Sequence, residues 1–116
     1  MASTITLYAS GTQTCTVGTE HFLSSPNASG FYQLAVDLVN AAALDLFELR
    51  TYAIILTAGT VRVEEFVQYL DAQATDDLIK RSIPIPNDLT DTNSVRFSIK
   101  QVAGTGRNVP YKVLQW

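Results

Sequence analysis

An all-β fold is predicted by three features of the sequence. Several stretches alternate apolar and polar residues with a period of two, which puts their apolar side chains on one face of a strand. Clusters of Gly, Pro, Asn and Ser interrupt these stretches at the roughly 8–12-residue spacing of sandwiches and barrels. No apolar pattern of helical period runs for a helix of ordinary length. The fold expected is a two-sheet antiparallel β-sandwich, jelly-roll-like, of about eight strands. The 116 residues suffice for one domain, 1–116, that buries a core without metals or disulfides.

Taken in order, Ile5 and Leu7 begin a first strand ending at Ala9-Ser10-Gly11, and Gln13 to Val17 reads as a second short strand. A strand around His21-Phe22-Leu23 follows, and Ser24 to Gly30 concentrates turn formers into the longest loop. In the next strand, Phe31 to Val39, the residues Tyr32, Leu34, Val36 and Leu38 share one parity. Asn40 to Leu44 is too short to be more than a connector.

The most informative stretch spans residues 45–70. Phe47, Leu49, Thr51, Ala53 and Ile55 fall on one face and Glu48 and Arg50 on the other. Ala58-Gly59-Thr60 supplies a reversal, and Val61 and Val63 resume the alternation, so a long hairpin is expected. The pattern slips at Glu64-Glu65, which calls for a bulge there or for a strand that passes from one partner to another. Leu78 to Ile85 is expected to be a strand with Ile79, Ile83 and Ile85 on one face. Pro84 and Pro86 put it at an edge or end it there, because proline has no N–H for a ladder. Val95, Phe97 and Ile99 mark a further strand that runs to Gly104-Thr105-Gly106, and Val109 to Trp116 forms the last. The core residues expected from these parities include Val36, Leu49, Ile55, Phe97 and Ile99.

Composition narrows function by exclusion. Hydrophobic residues make up 47% of the chain and charged residues only 16%, with a net charge of −3. An acidic chain of this kind has no general attraction for nucleic acid or an anionic membrane surface. A surface short of charge favours association, since charges are depleted at the centres of interfaces. Homo-oligomerisation, as a dimer or a trimer, is therefore expected. The segment MASTITLYAS lacks a signal-peptide pattern and no stretch approaches a membrane span, so synthesis in the cytoplasm is expected.

Chemistry-bearing residues are few. His21 is the single histidine, which rules out a catalytic triad or a metal cluster needing two, although Glu20 could orient its ring. Cys15 reads as a small buried hydrophobe. Asp71, Asp76, Asp77, Asp88 and Asp91 could in principle bind calcium, but the alternation and closing glutamate of an EF-hand are missing. Gly104-Thr105-Gly106-Arg107 lacks the Lys-Ser/Thr and the helix of a phosphate loop. No catalytic residue, cofactor or metal site is expected. The tyrosines and Trp116 supply aromatic surface that fits sugar binding, interface or core equally well.

The turns ASGTQT at 9–14, VGTEH at 17–21, ELR at 48–50, IPIP at 83–86 and KQVAGTGRNVPYKVL at 100–114 occur in an order and spacing that resembles a group of small tailed-bacteriophage virion proteins. The likeness runs over most of the chain, is most specific in the last motif, and leaves out Asn40 to Leu44 and residues 71–77. It implies a non-enzymatic structural component of a phage particle, with a capsid decoration or cement protein as the first reading. The partner implied is the major capsid protein or another virion protein, and the location is the capsid surface. A tail, connector or fibre-associated protein and a carbohydrate-binding module are the alternatives. Partner contacts are expected in the irregular segments 20–30 and 71–77 and at the chain ends, with His21, Phe22, Asp76, Asp77 and Trp116 as the candidate residues. Trp116 is expected to pack either on its own domain or on a neighbour.

Overall fold

A computed structural model describes residues 4–89 and 94–116. Nine strands are present among them: β1 (Thr6–Thr14), β2 (Glu20–Ser24), β3 (Gly30–Asp37), β4 (Leu46–Ala53), β5 (Arg62–Leu70), β6 (Ile79–Arg81), β7 (Ile85–Asn87), β8 (Val95–Ala103) and β9 (Asn108–Gln115). They form two antiparallel sheets. The first has the order β1-β9-β3-β6, with β7 also paired to β3, and the second has the order β2-β8-β4-β5. No helix among the described residues is long and apolar enough to cross a membrane.

The pairings are nested. β4 pairs with β5, β3 with β6 and β7, β2 with β8, and β1 with β9, all antiparallel. The chain is thus one long hairpin whose tip is the β4–β5 turn, rolled up so that successive rungs fall in alternate sheets. Because β6 and β7 act as the two halves of one broken edge strand, this is the eight-position jelly roll that the sequence predicts.

The core lies between the sheets. Tyr32, Leu34, Val36 and Leu38 face Phe47, Leu49, Val95, Phe97 and Ile99, with Cys15, Leu23, Ile85, Val109 and Val113 completing the layer. Val36, Leu49, Phe97 and Ile99 are therefore core residues, as their alternation requires. Ile55 is not. Strand β4 ends at Ala53, and Ile55 stands 79% exposed in the turn beyond it. A parity pattern cannot register where a strand stops, and here the apolar run simply outlasts the ladder.

Two other expectations are corrected, and the bulge expected at Glu64-Glu65 is present. β1 runs as one strand from Thr6 to Thr14, bulged between Leu7 and Ala9, where two short strands were expected, and Val17 is exposed while Cys15 is buried. The kink at Ser82–Pro84 reverses parity, so Ile79 and Ile83 point outward and only Ile85 enters the core. Lys80 takes the inward place, its ammonium 3.0 Å from Asp77 and 5.1 Å from the centre of the Tyr69 ring. The slip at Glu64-Glu65 is a bulge: Thr51 pairs with Glu65 and Tyr52 with Val63, leaving Glu64 unpaired.

The loop ends are tied by buried polar groups. Asp45, fully buried, accepts from the backbone N–H groups of Ala42 (2.9 Å) and Thr105 (3.2 Å) and from Arg107 Nε (2.7 Å). Burial alone would raise the Asp45 carboxyl, but the Arg107 hydrogen bond, the two N–H donors and the Arg107 charge outweigh it and hold the group below the usual carboxylate range. Gly104 makes this brace sterically feasible. Its φ is +94°, and a Cβ there would sit 2.0 Å from Asp45 Oδ1. At the opposite end Asn87 donates to the carbonyls of Pro26 and Ala28 and accepts from Ser94 and from the N–H of Leu89.

Candidate interaction surfaces

The outer face of the second sheet carries an ordered polar and aromatic cluster. Outward parity brings Glu20 and Phe22 of β2 beside Ser98 and Lys100 of β8 and Arg50 and Tyr52 of β4. Glu20 Oε2 accepts from both the Tyr52 hydroxyl and the Ser98 hydroxyl. Ser98 is wholly buried beneath these neighbours although it points away from the core. Arg50 bridges to Glu48 at 2.8 Å and lies 4.7 Å over the Phe66 ring, and Gln68 donates to the other Glu48 oxygen at 2.8 Å. Partial burial pushes the Glu20 carboxyl up, but the hydrogen bonds from Ser98 and Tyr52 and the charges of Arg50 and Lys100 bring it net below its usual value. Burial and the Glu20 carboxylate push the Tyr52 phenol up. The two hydroxyl donors on one Glu20 oxygen fix the carboxylate, Tyr52 and Ser98 relative to one another across the three strands.

A groove of about 400 Å³ runs over the outer face of the first sheet. Its floor is low because Ala35 occupies the middle strand, while Leu7, Ile79 and Pro110 stand on either side with the charged Asp37, Arg81 and Lys112. Apolar surface also projects at the β4–β5 tip. There Ile55 and Leu56 are 79% and 72% exposed, on a turn closed by the Gly59 N–H bonded to the Leu56 carbonyl at 2.8 Å.

The five residues singled out from the sequence do not converge on one site. His21 pairs with Ile99 on the inward parity of β2, and its Nε2 accepts from the Thr16 N–H at 3.2 Å. Glu20 is engaged on the opposite face with Tyr52 and Ser98, so it does not orient the imidazole. Phe22 is outward and half-exposed, its ring 5.7 Å from that of Tyr52. Asp76 and Asp77 are exposed in the β5–β6 loop beside a shallow depression of about 310 Å³ that also includes Asp37, and Asp77 is paired with Lys80. Trp116 packs on its own domain: its ring stacks on Phe31 at 6.2 Å, and the two residues exchange backbone hydrogen bonds of 2.9 and 3.0 Å.

Among the described residues no group of three or more His, Cys, Asp or Glu is arranged to hold a metal ion. Asp91, one of the acidic residues considered for calcium, lies outside the described residues. The Glu20–Tyr52–Ser98 network and the exposed Ile55-Leu56 tip were not foreseen. Outward parity hinted at the first, but the register joining strands far apart in sequence cannot be read from any one of them. No protein-family model, curated protein or solved structure matches the chain.

Proposed function

We propose that the protein is a non-enzymatic structural component of a tailed-phage particle, most concretely a decoration or cement protein that docks on the capsid lattice. One observation carries this reading: large apolar side chains stand exposed at the Ile55-Leu56 tip and along the Leu7 and Ile79 groove. Such surface is costly to leave wet at about 25 cal/mol per Å², and a partner that covers it recovers that free energy, less the entropy of association. The low charge of the chain and the likeness of its turn motifs to virion proteins support the same reading. Binding alone is then the mechanism. A protein that binds the assembled shell better than its broken states stabilises the shell by mass action, and many equivalent sites multiply a modest contact.

The test is a copy-number measurement on purified particles and on separated heads and tails. Recovery with heads at a lattice-like stoichiometry is the expected result. Recovery at low copy with tails would move the protein to a tail or connector role, and absence from particles would remove the virion reading.

A further inference from the structure

The jelly roll leaves four sheet edges, one of them shared by β6 and β7, and three of the four are guarded. β2 is only five residues long and is bulged between Phe22 and Ser24. β5 carries Arg62, Glu64 and Glu65 with a bulge of its own. β6 and β7 are three residues each, separated by Pro84 and interrupted by Pro86. Short length, charge, proline and bulges are the devices by which sheet edges avoid pairing with other chains. β1 differs. It is nine residues long, TLYASGTQT, with no charge and no proline; its one bulge lies near the start, between Leu7 and Ala9, and from Ala9 to Thr14 it keeps regular register with β9.

We propose that β1 is a self-association edge, on which β1 of a second copy of this chain pairs antiparallel about a two-fold axis near Gly11. The observations favour a second copy as the occupant for two reasons. A neutral strand can face its own copy with no like charges opposed, and with Gly11 on the axis Ser10 lies opposite Thr12 of the other copy twice over, small hydroxyl side chains that pair well across strands. The exposed apolar residues are also placed for it. Ile5 and Leu7 precede the regular stretch, at 64% and 60% exposure, and Val17 follows it at 40%. Antiparallel pairing lays the leading apolar end of one copy beside the trailing end of the other, so each covers what its partner exposes. Gln13 Nε2 donates to the Thr14 carbonyl at 2.9 Å, which closes the edge at that end and limits the pairing to about Ala9–Gln13. The two first sheets then join into one sheet across the dimer.

This inference specifies the self-association expected of the chain and does not depend on capsid binding, so it is tested in solution without particles. Sedimentation velocity of the full chain at about 100 μM is expected to show a dimer. In the double variant Ser10→Glu, Thr12→Glu, carboxylates face carboxylates across the axis, while Lys112 beside Ser10 accommodates one of them within the monomer. Its dimer dissociation constant is expected to rise about tenfold or more, with an unchanged circular dichroism spectrum. Mixing it with Ser10→Lys, Thr12→Lys is expected to restore a dimer. Independently of any variant, amide exchange across Ala9–Gln13 should slow as wild-type concentration rises. A wild-type monomer throughout this range, a glutamate variant that stays dimeric, or β1 exchange indifferent to concentration would each overturn the proposal. Particle association would stand or fall separately.

Discussion

Replacing Asp45 by alanine tests the energetics of the fold at its most constrained polar point. The substitution removes the acceptor for three donors at once, in a site with no solvent access. Two of them are backbone N–H groups, each costing about 1–2 kcal/mol when left without a partner. The third is the Arg107 guanidinium, which is 30% exposed and regains water, so its loss adds only about 1 kcal/mol. The sum is about 3–5 kcal/mol, which for a domain of this size lowers the melting temperature by roughly 10–20 °C. Thermal denaturation followed by circular dichroism at pH 7 reads it directly.

The same group makes a signed prediction about acid. Its folded pKa lies below the unfolded value, so the folded state binds fewer protons than the unfolded state as pH falls into the carboxylate range. The stabilisation is present above about pH 4 and is lost as pH falls through the folded value. Wild-type melting temperature should therefore drop steeply below about pH 4, and Asp45→Asn should flatten that drop while starting lower at pH 7. Glu20 contributes with the same sign, so Asp45→Asn with Glu20→Gln should flatten it further. An Asp45→Asn variant that melts with wild type at pH 7 and follows the same acid slope would refute the assignment of the brace.

Truncating the fully buried Phe97 to alanine should cost about 3–5 kcal/mol, and an unchanged urea midpoint would take β8 out of the core. Gly104→Ala should destabilise by at least about 2 kcal/mol, because it combines a left-handed backbone with a Cβ driven into Asp45, and equilibrium unfolding reports it. Deleting Gln115 and Trp116 should lower the melting temperature, since it removes the Phe31 stack and the Gln115 hydrogen bond to the Tyr32 hydroxyl; unchanged melting would show that this end contributes nothing at home. Ile55→Ser with Leu56→Ser should leave stability within about 0.5 kcal/mol yet weaken co-sedimentation with capsids, and undiminished co-sedimentation would take the hairpin tip out of the docking surface.

Where one face of a strand was wet and the other dry, the sequence was enough to place residues. Val36, Leu49, Phe97 and Ile99 were legible for that reason, and Glu64-Glu65 betrayed its bulge because an extra residue must invert the pattern. Ile55 and Ile83 misled because isoleucine beyond or between ladders looks the same as isoleucine within one, and Ile79, paired in β6, misled because the break at Ser82–Pro84 puts it on the opposite face from Ile85. The outer-face cluster was less legible still. Glu20 meets Ser98, 78 residues away, only because β2 and β8 are adjacent, and adjacency belongs to the roll rather than to either segment.

The nesting of the strands also dictates an order of assembly. Closing the β4–β5 turn joins Ala53 to Arg62, nine positions apart, whereas the outermost rung joins Thr6 to Gln115 across 109 positions. From an open chain the outer closure costs about 2 kcal/mol more in loop entropy than the inner one. Each inner rung that forms shortens the loop left for the next, so the cheapest route zips outward from the β4–β5 tip through β3 and β8 to β1 and β9. A topology so rich in distant pairings belongs among the millisecond-to-second folders. Phe97→Ala should then slow folding, while loss of the Trp116 stack on the last rung should leave the folding limb of the chevron in place and steepen escape from the native state, as a faster unfolding limb.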